Sequence, residues 1–145
     1  MKEIREEIEI SSSATRIWQI LSDFSNYPTW NPFIRRAKGD AKEGTKLDVY
    51  LQPSGARGMS FKPAVLKAEA NHELRWLGRL FLPGIFDGEH IFTIEPTTPG
   101  HLRFVQREIF KGILVPFLAK SLDKDTRRGF REMNQALKTR AEKSA

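Results

Sequence analysis

An α+β fold, in which an antiparallel sheet is covered by one long C-terminal helix, is the class predicted for this 145-residue chain. Three observations carry it. Seven segments show the apolar–polar patterning of strands, short Gly-, Pro- or Asn-bearing spacers separate the later six, and apolar residues recur at helical spacing only near the two ends.

In EIREEIEI (3–10), Ile4, Ile8 and Ile10 fall on one side and Arg5, Glu7 and Glu9 on the other, the period of a half-buried strand. Ser11, Ser12 and Ser13 can cap a helix in which Ala14, Ile17, Trp18 and Leu21 share a face, ending near Asp23. In YPTWNPF (27–33), Pro28 can open a helical turn and Pro32 stops it, which places Trp30 on a short turn. Tyr27, Trp30 and Phe33 are expected to plug the space between sheet and helix. Strands follow at 33–38, 45–52, 60–70, 73–81, 86–95 and 101–110. Pro116 suits a first helical turn, and Val115, Leu118, Leu122, Thr126, Phe130, Met133 and Leu137 recur every three or four residues. A helix over about 116–143 is roughly 42 Å long, enough to lie along strands of roughly 33 Å.

The chain reads as a single domain, 1–145, with a core of its own. It has no cysteine, which removes disulfides and thiolate chemistry and agrees with a reducing, cytoplasmic setting. MKEIREEIEI is charged and alternating, unlike a secretion signal, and the longest apolar run, Gly112 to Ala119, is too short to cross a bilayer. Of the net charge of +6, residues 111–145 hold nine Lys/Arg against four Asp/Glu. That basic helix face, around Arg127, Arg128, Arg131, Lys138 and Arg140, is either a solvated surface or an interaction surface; no nucleic-acid motif accompanies it, and no nucleic-acid partner is expected.

Parity sorts the inner face of the sheet: Leu74, Trp76, Gly78 and Leu80; Phe86, Gly88, His90, Phe92 and Ile94; Leu102, Phe104, Gln106, Glu108 and Phe110. His90, Gln106 and Glu108 then point into apolar surroundings, where they satisfy one another and water or orient the oxygens of a ligand. A buried Glu108 is also a candidate acid/base through a raised pKa. Gly129, mid-helix, marks either a close backbone approach or room for a ligand. Trp76 is a core anchor or a stacking surface. Phe81, Leu82, Ile85 and Phe86 form a conspicuously apolar loop that closes a cavity, touches a membrane or folds back on the core.

Other chemistry is poorly supported. GDAKEGTK (39–46) has its Thr before its Lys and a strand where a phosphate-binding helix belongs, so it reads as a hairpin turn. His72, His90 and His101 lack metal-ligand spacing; no metal and no cofactor are expected. No GxSxG or GxGxxG occurs.

Ile17-Trp18, DFSNYPTWNPFIR (23–35), ELRWLGR (73–79), DGEHIFTIEP (87–96), FVQREIFKGIL (104–114) and GFREMNQALKTRAE (129–142), in this order, resemble the SRPBCC superfamily of START and birch-pollen-allergen-like proteins. The likeness is to its polyketide cyclase/dehydratase-like bacterial branch and covers essentially the whole chain. It implies a helix-grip fold, a curved seven-stranded sheet around the C-terminal helix, with a cavity for a small hydrophobic ligand that is lipid-, polyketide- or polycyclic-like. The expected ligand-binding residues are Trp76, Phe86, His90, Phe92, Phe104, Gln106, Glu108, Phe117, Thr126 and Phe130. A carrier or sensor is the leading function; a polyketide cyclase/dehydratase-like enzyme using His90 and Glu108 is the alternative. Either acts without stable membrane insertion, as a monomer or homodimer.

Overall fold

The computed structural model describes residues 1–80 and 82–143. In chain order the elements are β1 (Lys2–Ile10), α1 (Ala14–Ser22), a 3-10 turn (Phe24–Asn26), α2 (Tyr27–Trp30), β2 (Ile34–Lys38), β3 (Asp48–Leu51), β4 (Met59–Phe61), β5 (Ala64–Glu69), β6 (Glu73–Leu80), β7 (Phe86–Pro96), β8 (Leu102–Lys111), α3 (Val115–Ser121), a π turn (Leu122–Thr126) and α4 (Arg127–Glu142). Every pairing is antiparallel.

The fold is the expected α+β helix grip, with one difference in strand count. The segment expected as one strand over 60–70 is broken at Pro63, which has no N–H to donate to a ladder. β4 therefore pairs with β3 and β5 with β6, giving sheets ordered β1-β8-β7-β6-β5 and β2-β3-β4. The Leu47 and Val65 amides, donating to the carbonyls of Pro63 (2.8 Å) and Thr45 (2.9 Å), carry the chain across the corner.

The turn after α1 is built from local bonds. Ser13 accepts from the Arg16 amide at 3.1 Å and starts α1, which buries Ile17, Ile20 and Leu21. The Tyr27 hydroxyl donates to the Leu21 carbonyl. Asn31 Oδ1 accepts from the amides of Phe33 (3.0 Å) and Ile34 (2.8 Å), turning the chain into β2. Tyr27 and Phe33 are buried, whereas Trp30 is only half-buried, so the plug rests on the first two. α4 presents Gly129, Phe130, Met133, Asn134, Leu137 and Ala141 as one buried stripe. A Cβ on Gly129 would stand 2.4 Å from the Phe33 ring, so it is this ring, rather than sheet backbone or ligand, that occupies the space. The C-terminal helix is also interrupted: Leu122–Thr126 adopt the wider i→i+5 turn, which helical periodicity alone does not distinguish.

Four of the five cations of the expected basic face, all but Arg140, are ion-paired among the described residues. Glu6 on β1 accepts from Arg127 (2.8 Å) and Arg131 (2.6 Å), Asp125 from Arg128 (3.0 Å), and Glu142 from Lys138 (2.6 Å).

Candidate functional site

The antiparallel register dictates which side chains meet. Trp76, His90 and Glu108 stand opposite one another across β6, β7 and β8; in the next row toward one end of the sheet, Gly78, Gly88 and Phe110 do the same. The glycines make the difference between those rows. A Cβ on Gly78 would lie 2.8 Å from the Phe61 ring, and one on Gly88 would lie 2.4 Å from Glu108 Oε2. Their bareness admits Phe61 from the smaller sheet and the Glu108 carboxyl, and a cavity of about 250 Å³ opens beside them.

Its wall is mostly apolar: Phe33, Leu51, Pro53, Ala56, Met59, Phe61, Leu80, Phe86 and Phe110. Ser121 at the end of α3 and Leu122, Asp125 and Thr126 of the π turn close another side, and Arg57 and Arg79 contribute the cationic groups. Glu108 is the carboxyl on the β8 wall and is 8% exposed, against 0% for His90 behind it.

A buried chain of polar groups starts at that carboxyl. Glu108 Oε1 is 3.4 Å from His90 Nδ1. His90 Nε2 is 2.8 Å from Gln106 Oε1, and Gln106 Nε2 donates to Asn134 Oδ1 at 2.8 Å. Asn134 Nδ2 donates onward to the Glu6 carbonyl at 3.4 Å. The carbonyl end can only accept, so every amide orientation in the chain follows from it, and His90 must carry its proton on Nε2. Nδ1 is left with a lone pair that no hydrogen bond satisfies among the described residues. Burial lowers the His90 pKa to about 4, only partly opposed by Gln106, so the ring is neutral. Burial likewise pushes Glu108 up to about 8, so at neutral pH its carboxyl is largely protonated and can offer Nδ1 the missing proton. A carboxyl that gives its proton backward presents an accepting oxygen forward.

Three of the ten expected ligand residues line the cavity: Phe86, Glu108 and Thr126. Trp76, His90, Phe92, Phe104, Gln106 and Phe130 are fully buried instead, as neighbours in the core. The His90 ring stacks on Phe92 with centroids 4.4 Å apart and lies 5.2 Å from Phe130 and 5.4 Å from Trp76. Parity identifies the inward face but not how far along it the helix and Phe33 fill the space. Phe117 is 84% exposed on α3 and does not line the cavity. The lining residues absent from the expected set include Leu51, Pro53, Ala56, Met59 and Phe61; the sequence signal that could have found this end is the pair Gly78 and Gly88, two inward positions without a side chain. Of the apolar loop, Phe86 is buried, Ile85 half-buried and Leu82 exposed, while Phe81 lies outside the described residues.

A sheet curled against a terminal helix, with a cavity between them, defines a START-like helix-grip domain. The chain belongs to the family described as polyketide cyclase / dehydrase and lipid transport, whose model matches residues 1–142. Among curated proteins none matches the sequence. Solved structures share the fold. A START superfamily protein from Mycobacterium smegmatis has a TM-score of 0.77 at 23% identity, over 97% of each chain. Norcoclaurine synthase from Thalictrum flavum, in complex with dopamine and hydroxybenzaldehyde, has a TM-score of 0.74 at 18% identity over 99% of this chain and 89% of that one. The di-domain ARO/CYC BexL from the BE-7585A biosynthetic pathway has a TM-score of 0.74 at 10% identity, over 99% of this chain and 51% of its own.

Proposed function

We propose that this protein encloses one small hydrophobic molecule in the cavity beside Gly78 and Gly88, as a carrier or sensor, with Glu108 reading a polar group on it. The single observation carrying this is an apolar cavity of about 250 Å³ whose β8 wall bears the buried Glu108 carboxyl. Size narrows the class. An apolar cavity of roughly 150 Å³ accepts benzene, so the space here suits a ligand of about two fused rings or a short acyl chain rather than a diacyl lipid. Chemistry narrows it further: with the Glu108 proton directed at His90, its free oxygen accepts, which favours a hydroxyl or phenol on the ligand. The complex of norcoclaurine synthase with dopamine and hydroxybenzaldehyde, on the same fold, supports a phenolic guest.

Thermal denaturation with 1-naphthol, naringenin, decanoate and cholesterol tests the proposal. Naphthol-sized phenols are expected to raise the melting temperature; at a hundredfold excess over Kd a single site contributes about 2.7 kcal/mol. No shift with any of the four, and no small molecule retained in native mass spectrometry of the purified protein, would overturn it.

The second reading is a polyketide cyclase/dehydratase-like enzyme, favoured by the 3.4 Å approach of Glu108 and His90. In it Glu108 exchanges a proton with the substrate, because a carboxyl with a pKa of about 8 is poised for transfer near neutral pH. His90, behind it, acts as a positioning residue. Glu108→Gln separates the readings: a binder keeps most of its affinity, whereas an enzyme loses turnover while retaining substrate.

A further inference from the structure

Seven large hydrophobic side chains are exposed among the described residues, and four of them, Leu82, Ile113, Phe117 and Leu118, come from two short segments at one end of the sheet. Scattered apolar residues on a surface are ordinary; a cluster is not. This cluster is held on a platform. The Ile113 amide donates to the Gly84 carbonyl at 3.1 Å and the Leu114 amide to the Ile85 carbonyl at 3.1 Å, stitching the β6–β7 hairpin to the start of α3. Val115 is buried beneath, and Gly112, at φ +130°, lies where a Cβ would meet the Ile85 carbonyl oxygen at 2.4 Å. The exposed side chains are therefore presented by a braced turn, with the backbone fixed under them.

The unpaired charges on and beside these segments are of one sign. Residues 111–120, KGILVPFLAK, contain two lysines and no acid. Lys111, Lys120 and Lys124 are exposed and form no ion pair among the described residues. The nearby acids are already engaged: Asp87 with Arg79 at 3.7 Å, and Asp123 with Lys2 at 3.5 Å and Arg127 at 2.9 Å. A second copy docked through this face about a two-fold axis would set like charges against each other. An anionic lipid surface complements them while accepting the apolar side chains.

We propose that this face docks the protein reversibly on an anionic bilayer, with Leu82, Ile113 and Phe117 entering the interfacial layer and Lys111, Lys120 and Lys124 on the headgroups. The face adjoins the cavity, since Leu80 and Phe86 on one segment and Ser121 and Leu122 on the other line it. Docking brings the cavity wall to the membrane surface, where apolar molecules partition. The inference concerns the outer surface and stands whatever the cavity binds.

Co-sedimentation of the full chain with vesicles of mixed phosphatidylcholine and phosphatidylglycerol, against vesicles of phosphatidylcholine alone, tests it. Binding is expected to the mixed vesicles, to weaken with salt, and to fall roughly tenfold in Phe117→Ser and in Ile113→Ser. Lys111→Glu combined with Lys120→Glu should weaken binding to the mixed vesicles by a similar factor. These side chains are exposed, so unchanged melting temperatures will show that the variants fold. No binding to the mixed vesicles, or equal binding by Phe117→Ser, overturns the proposal. A dimer in sedimentation equilibrium that Phe117→Ser dissociates also overturns it, by assigning the face to a second copy.

Discussion

Glu108 and His90 hold opposite departures from their ordinary protonation, and the two leave separate marks on stability. Glu108 binds its proton more tightly folded than unfolded, so its contribution is full below its ordinary pKa of 4.5 and is lost as pH rises through about 8. His90 binds its proton less tightly folded, so stability is lost as pH falls from 6.5 through about 4. Between 4.5 and 6.5 the slopes oppose one another; above 6.5 the Glu108 slope stands alone. Denaturant unfolding at pH 6.5 and pH 8 should therefore show a loss on the order of 1 kcal/mol in the parent and none in Glu108→Gln. Equal losses in both proteins would place the raised pKa elsewhere.

At the scale of an element, α4 tolerates a glycine at 129 because Phe33 needs the room. Alanine ordinarily gains about 1 kcal/mol over glycine in a helix interior. Here its Cβ would stand 2.4 Å and 2.6 Å from ring carbons of Phe33, which is itself packed on Phe130 with centroids 5.7 Å apart. Gly129→Ala should thus lower the melting temperature against its propensity, and the double variant with Phe33→Leu should recover part of the loss. Calorimetry of the three variants checks this; a stabilised Gly129→Ala would contradict the packing.

Across the whole molecule, stability should be uneven. β6, β7 and β8 are long, paired in continuous register and buried on the inner face. β2, β3 and β4 are 5, 4 and 3 residues long, and β4 is exposed at its edge. Native-state hydrogen exchange is expected to show the central strands opening only with global unfolding, and the smaller sheet opening at lower free energy. That smaller sheet carries Leu51, Met59 and Phe61 of the cavity wall, so ligand binding should slow its exchange. Uniform protection across both sheets would refute this division.

Local patterning made much of this legible. Alternation in β1, β6, β7 and β8, the spacing of Ala14, Ile17, Trp18 and Leu21 and the terminal heptad-like run decide the α+β class, because burial of one face imposes periods of 2 and 3.6 directly on the residues. The inward orientation of His90, Gln106 and Glu108 follows from the same parity. Depth does not. Whether an inward side chain meets ligand or protein depends on what arrives from remote parts of the chain: Phe33 against Gly129, Phe61 over Gly78, Asn134 joined to Gln106. The break at Pro63 was open to reading from the missing N–H, whereas the wide turn at Leu122–Thr126 leaves no mark in the spacing of the apolar residues. Residue order specified which faces turn inward, and tertiary packing alone decided where that interior stays empty, because a cavity is the volume left when distant segments fail to meet.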